Sequence, residues 1–383
     1  MTPRSESTSV AAPEECPVCS QLAWNKHFGV VSCNACGAFF RRTVALQKAY
    51  SCFRRRDCSY NLNGKMRCKF CRFQASIVAG FNISSVIVRP IPNEISCFKP
   101  TTVFERLSIC NRAKFVNRFF YLTQVHDGRC ENVRIGIPNP STMEIFRLLE
   151  AEFLVMLRYV EQCGFVQCDL NAEMMRQLAH CVFQEWIVFQ CVVATANNNG
   201  QNTQEFYLPD ESHLNVTVEH LTNCVRMLNG QIDNDVLARA GVTYLTKALE
   251  TAAIYQQARL DNSEFVAMGQ LLLLREASKL FPENAATRRF TNTIFEALQR
   301  HYELNFEETP IRIAQIVSLI DQIGSLSYSL NELVIMWKLN GIDSIFRLPA
   351  QMSPKFTLTS GPISSLYTPP SSCTSLSDDL CSD

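Results

Sequence analysis

From about residue 141 onward, apolar residues recur at three- and four-residue steps, the spacing that lines one face of an α-helix. Ile145, Phe146, Leu148, Leu149, Phe153, Met156, Leu157 and Val160 form the first such stripe. Asp169 or Asn171 is placed to cap a second long helix over 172–194. An alternating run over 213–218, after a turn at Pro209-Asp210, predicts a short strand. Helical spacing then resumes over 235–258, 264–281, 285–302, 310–323 and 329–346. Phe265 to Leu274 is apolar nearly all round, which predicts a central, buried helix, and Pro282 stops it. The expectation for 141–348 is one mainly α-helical domain of roughly 200 residues, a usual domain size.

Outside that body the pattern weakens. Residues 82–140 carry Pro90, Pro92, Pro100, Pro138 and Pro140 with no sustained period and read as a linker, although 104–122 has apolar positions enough for a short helix. Residues 1–15 are polar and 349–383 are rich in Ser, Thr and Pro, so both ends are expected to be disordered. No internal repeat is present. Residues 16–81 show no long helical stripe and are dense in cysteine.

Charge separates that block from the rest. The chain of 383 residues has zero formal net charge. Residues 1–73 nevertheless hold 12 Lys and Arg against 4 Asp and Glu, whereas the remainder holds 24 against 32. A basic block joined to an acidic one predicts a polyanion-binding module attached to something else.

Eight of the 18 cysteines follow the pattern C-x2-C-x13-C-x2-C-x15-C-x5-C-x9-C-x2-C, from Cys16 to Cys71. Two residues between cysteines let both sulfurs reach one ion, and zinc takes four tetrahedral ligands. The eight divide into Cys16, Cys19, Cys33 and Cys36, and Cys52, Cys58, Cys68 and Cys71. A closed site of four thiolates leaves no position for water, so both sites are expected to be structural zinc rather than catalytic. The other ten cysteines, Cys97, Cys110, Cys130, Cys163, Cys168, Cys181, Cys191, Cys224, Cys373 and Cys381, read mostly as small buried hydrophobes.

This spacing, with His27-Phe-Gly-Val30 and Cys33-Asn-Ala-Cys-Gly-Ala-Phe-Phe-Arg-Arg42, closely resembles the DNA-binding domain of nuclear hormone receptors. Arg67-Cys-Lys-Phe-Cys-Arg72 and Gly80-Phe81 resemble its second helix and extension. The acidic remainder resembles a divergent, nematode-type ligand-binding domain, with Tyr207-Leu-Pro-Asp210 and Leu271-Leu-Leu-Leu-Arg-Glu276 carrying a fainter likeness. The fold implied is a small zinc-stabilised α domain over 16–81, a hinge over 82–140 and a layered helical bundle over 141–348.

The resemblance implies roles for particular residues. A helix over 34–46 would enter the DNA major groove, with Asn34, Ala35, Gly37 and Ala38 where the family reads bases. On such a helix Asn34, Ala38, Arg41 and Arg42 cluster toward one side, while Phe39 and Val44 turn inward. His27, Arg41, Arg42, Arg67 and Arg72 match positions that hold phosphates. Many relatives carry an acidic residue at the position of Asn34 and a lysine at that of Gly37, so a different half-site is expected, with Asn34 able to pair with adenine. The run Arg54-Arg-Arg56 lies where many receptors dimerise, and is otherwise a solvated, phosphate or nuclear-import charge run.

These features imply a non-enzymatic, nuclear transcription factor whose partners are double-stranded DNA, coregulators, a second receptor subunit and a small lipophilic ligand. Liganded and unliganded forms both stay open. Phe183, Trp186, Phe189, Met268 and Met336 are candidates for a pocket, with core packing the plainer role for each. The one candidate for a closing helix, Ile342 to Leu348, lacks the glutamate usual in that helix. His180, His213, His220 and His301 are scattered and read as core or surface residues. The competing class is a zinc-stabilised adaptor of LIM or RING type, which uses other spacings and lacks the Phe-Phe-Arg-Arg helix. No run reaches the ~20 apolar residues of a membrane span; 182–196 comes nearest, interrupted by Gln184, Glu185 and Gln190. With no apolar signal core in the first residues, Asn82 and Asn215 read as chance glycosylation matches, and a soluble, intracellular protein is expected.

Overall fold

The computed structural model describes residues 14–50, 52, 58, 68–86, 102–125, 135–163, 169–198, 204–228, 234–305 and 309–340. Residues 1–13, the tail over 349–383, the run at 54–56, Arg67 and the closing helix at 342–348 lie outside these residues, whereas Glu14 and Glu15, expected in the disordered lead-in, are ordered by pairing with Leu22 and Ala23.

The cysteine-rich block begins with two small antiparallel pairs, β1 (Glu14–Glu15) with β2 (Leu22–Ala23), and β3 (Asn25–His27) with β4 (Val30–Ser32). Phe28 and Gly29 make the two-residue turn of the second hairpin, and both have positive φ, 50° and 99°. A two-residue hairpin turn of this hand needs φ above zero at both positions, which glycine adopts freely and phenylalanine does not. Phe28 is held there by its ring, 5.3 Å from Phe40 and 6.2 Å from Phe81. Helices α1 (Asn34–Ala45) and α2 (Lys69–Val78) cross through the same aromatic cluster, in which Phe40 stacks on Phe73 at 5.5 Å and meets Phe81 edge-on at 5.0 Å. A segment this short buries little apolar area, so these rings and the metal sites must supply most of its stability.

Next comes α3 (Val103–Val125), inside the stretch expected to be a linker. Its buried positions Phe104, Leu107, Ala113 and Val116 keep helical spacing, and it packs against the helices that follow. Its Phe115 and Phe119 also meet Phe70 and Phe73 of α2 edge-on or tilted, at 5.0 to 6.4 Å. The helix therefore joins the zinc-binding block to the helical body, and Gln74 of α2 donates to the Ile135 carbonyl at 3.1 Å.

The body continues with α4 (Thr142–Gln162), α5 (Ala172–Asn198), a hairpin of β5 (Glu205–Tyr207) and β6 (His213–Asn215), then α6 (Val218–Leu228), α7 (Asn234–Gln257), α8 (Asn262–Leu280), α9 (Ala285–Asn305) and α10 (Thr309–Leu339). Ser141 and Glu144 cap the start of α4 reciprocally, and Asp261 and Glu264 do the same for α8. Asn171, not Asp169, caps α5: its Oδ1 accepts from the amides of Glu173 at 3.0 Å and Met174 at 2.9 Å. Helix α5 is the centre of the bundle, packed by α4, α7, α8 and α10. It is the one described helix long and apolar enough to cross a membrane, and most of its apolar stretch is buried inside the body. Gln184 and Glu185, the polar breaks in that stretch, point at specific partners: Gln184 bonds Ser327 of α10, and Glu185 accepts from Arg275 of α8 at 2.6 Å.

Three local differences from the sequence pattern have physical reasons. The two helices expected over 310–323 and 329–346 are one helix, α10, through its last residue Leu339. The polar stretch between them is a packing site: Ser327 is buried against Gln184, and Gly324 lies beside the Glu185–Arg275 pair. The strand expected over 213–218 ends at Asn215, because the Thr217 hydroxyl accepts from the His220 amide and starts α6. Among the remaining described cysteines, Cys110, Cys163 and Cys191 are buried as expected, Cys224 is half-buried and Cys181 is exposed.

Two fully buried carboxylates in the body are paired with arginines. Arg118 of α3 holds Glu152 of α4, which is fully buried. Arg312 of α10 grips Glu264 through both nitrogens, at 2.6 and 2.9 Å, and the Tyr302 hydroxyl donates to the same carboxylate at 2.9 Å.

Candidate zinc centres and nucleic-acid interface

The structure gathers the eight cysteines into the two sets expected. The sulfurs of Cys16, Cys19, Cys33 and Cys36 all lie within 4.8 Å of one another, as do those of Cys52, Cys58, Cys68 and Cys71. Cys19 and Cys33 are 3.4 Å apart, Cys52 and Cys58 3.6 Å, and Cys52 and Cys71 3.6 Å. A tetrahedral zinc with Zn–S bonds of about 2.3 Å spaces its sulfurs at about 3.8 Å, so both sets fit one ion each.

The later pair of each set, C-x2-C in both, straddles a helix start. Cys33 is the N-cap of α1 and Cys68 the N-cap of α2, both in extended conformation, with Cys36 and Cys71 in the first turns. Helix N-termini carry partial positive charge, which favours thiolate over thiol. Burial works the other way without metal. It pushes the Cys19 thiol up to about 11 and raises Cys36 and Cys71 as well. Thiols held this close in a buried site need a divalent cation to displace their protons. The chain thus carries two structural zinc ions, each of which fixes the first turn of one helix.

Helix α1 shows two contrasting sides. Cys36, Phe39, Phe40, Thr43 and Val44 are buried against the aromatic cluster, whereas Asn34, Ala35, Arg41 and Arg42 are exposed. Neither Arg41 nor Arg42 pairs with a carboxylate among the described residues, so both charges are available to an anion.

Comparison with known proteins agrees with this arrangement. Residues 14–83 match the double treble clef zinc finger of the C4 type. Residues 138–340 match the ligand-binding domain of nuclear hormone receptors. The chain belongs to the nuclear hormone receptor family. Among its relatives, nuclear hormone receptor family member nhr-1 of Caenorhabditis elegans is 32% identical over 32% of this chain and 29% of its own length. Member nhr-16 of the same organism is 40% identical over 23% and 24%. Nuclear receptor subfamily 4 group A member 1 of Xenopus laevis is 23% identical over 81% of this chain and 52% of its own length. The receptor spans about half or less of the length of these relatives.

The receptor's remaining site residues fall into distinct places. Ala38 is half-buried beside the exposed Asn34 and Ala35. Arg72, for which the resemblance implies a phosphate, is half-buried and reaches into the module. Its Nη2 donates to Cys36 Sγ at 3.3 Å and its guanidinium lies 4.6 Å over the Phe39 ring. There it favours the Cys36 thiolate, opposing the effect of burial.

His27 and Gly37 form a feature that the sequence pattern did not bring out. His27 Nε2 lies 3.0 Å from Asn34 Oδ1, and Asn25 Nδ2 reaches the same oxygen at 3.5 Å. Gly37 sits under the His27 ring: a Cβ there would lie 2.7 Å from His27 Cγ, inside van der Waals contact. The signal was present in the glycine where relatives have lysine. A residue without a side chain leaves a space, and here a ring from the preceding hairpin takes it.

Proposed function

We propose that this receptor is a sequence-specific transcription factor that docks α1 in the major groove of double-stranded DNA and regulates RNA polymerase II genes in the nucleus. The observation that carries this reading is the exposed face of α1, where Asn34 and Ala35 sit beside two arginines that pair with no carboxylate among the described residues, on a helix pinned by zinc at its first turn. Arg41, Arg42 and Arg67 are assigned to phosphates, and Asn34, Ala35 and Ala38 to base edges. His27 is assigned beside Asn34 rather than to the backbone. With Oδ1 engaged by His27, Asn34 offers its Nδ2 hydrogens, which suit an acceptor edge such as guanine O6 and N7. The adenine pairing expected for a free asparagine needs that oxygen as well. Coregulators, a second receptor subunit and a controlling small molecule are assigned to the helical body.

Selection of binding sites from random double-stranded DNA by the full, zinc-loaded chain tests the reading. A recovered half-site with guanine or another acceptor edge under Asn34 supports it. Recovery of no consensus would remove sequence specificity, and a consensus adenine there would remove the His27–Asn34 assignment.

A further inference from the structure

A cavity of about 470 Å³ lies among α3, α4, α5 and α8, with Tyr50 and Cys52 of the second zinc module at its edge. Small-molecule sites occupy about 300–1,000 Å³. One wall carries Lys114, a lysine only 9% exposed. Its ammonium donates to Gln190 Oε1 at 2.9 Å and lies over the rings of Trp186 at 4.8 Å and Tyr159 at 5.1 Å. Among the described residues it has no carboxylate partner and no second hydrogen bond, so two of its three donors are unused. Trp186 lines the same space, is fully buried, and its indole N–H has no acceptor among the described residues. A buried cation and a buried donor without partners are costly, and such groups call for a ligand that satisfies them.

We propose that this cavity binds a small organic monocarboxylate, with the carboxylate on Lys114 and an apolar body along Trp186, Phe189 and Phe265. Charge sets the class. Among the described residues of the wall, Arg118 is already held by Glu152 and Glu211 is the one carboxylate, so Lys114 is the one cation there left for an anion. A monoanion is matched; a dianion such as a phosphate monoester would carry an uncompensated charge into a buried site. The aromatic rings that hold the ammonium also supply the apolar surface for the ligand body. Burial pushes the Lys114 ammonium down to about 7, and a bound carboxylate would reverse that push. The proposal gives the ligand-control reading a chemical class and rests on that reading only for its consequence. Binding is measured directly, so a receptor that binds the carboxylate without a change in transcription would sink ligand control and leave the site standing.

The test is calorimetric titration of the full, zinc-loaded chain with octanoate, 1-octanol and octyl phosphate. The expected result is saturable one-site binding of octanoate, with the alcohol and the phosphate at least tenfold weaker. Lys114→Met should weaken octanoate at least tenfold while the thermal midpoint stays level or rises, because an apolar residue of similar length removes a buried charge. Ala194→Phe, which adds bulk to the cavity wall and keeps the Lys114 ammonium, should weaken octanoate to the same degree and decides the matter if Lys114→Met does not fold. Absence of saturable octanoate binding, equal binding of octyl phosphate, or undiminished binding by either folded variant would overturn the proposal.

Discussion

Gly37→Lys puts back the residue that many relatives carry, and the geometry around it fixes what should follow. The new Cβ would meet His27 Cγ at 2.7 Å and Cδ2 and Nδ1 at 3.0 Å, so the imidazole must rotate away and release Asn34. Displacing one ring to a poorer rotamer costs on the order of 0.5–1.5 kcal/mol. Replacing a helical glycine by lysine returns about 0.5–1 kcal/mol in helix propensity. The two nearly cancel, so the stability of the module should change by less than about 1 kcal/mol. DNA recognition should change more. A lysine over guanine contributes about 1–3 kcal/mol of discrimination, or roughly 5- to 150-fold in dissociation constant. Fluorescence anisotropy with a panel of half-sites should show the variant gaining that factor on a guanine-bearing site at the corresponding position. The double variant with His27→Ala should gain at least as much, since nothing then has to be displaced. If neither variant distinguishes guanine from other bases at any position, the placement of α1 on the bases is wrong.

Other consequences are as direct. Arg41→Ala should weaken DNA binding on every sequence and flatten the slope of log K against log salt by about 0.9, the share of one phosphate, as read by anisotropy across a salt series. Arg312→Met should destabilise the helical body by about 3–5 kcal/mol in urea unfolding, because the buried Glu264 loses its bidentate partner; adding Glu264→Gln should recover part of that loss. Chelation of zinc should remove the helical circular dichroism of residues 14–83 expressed alone, and zinc should restore it, because the two ions hold the first turns of α1 and α2.

The zinc sites were fully legible in the sequence because ligand chemistry restricts cysteine spacing tightly, and nothing else in a basic 66-residue block explains that register. The amphipathic stripes of α4, α5, α7 and α9 were legible because each buries a continuous set of apolar positions, and α8 because it is apolar nearly all round. What escaped were features set by a partner distant in sequence. Residues 324–329 of α10 look like a break until Gln184 and Arg275 are placed beside them. Helix α3 was legible only as a short helix over 104–122 inside a linker, because prolines flank it and because Lys114 and Arg118 sit on its buried side, where local pattern reads charge as solvent-facing. The phosphate role read for Arg72 was drawn from family position alone, and the structure turns that side chain toward Cys36. The His27–Asn34 contact needs the hairpin turn at Phe28 and Gly29, whose positive φ values swing the strand over α1.

The most direct test of the account is a salt titration of duplex binding by the full chain with its zinc content measured alongside. Two zinc ions per chain are predicted, with log K falling linearly in log salt at a slope of about −3 or steeper, from three or more neutralised phosphates, and with binding lost on chelation. Duplex binding that ignores salt, or that survives removal of both zinc ions, would contradict it.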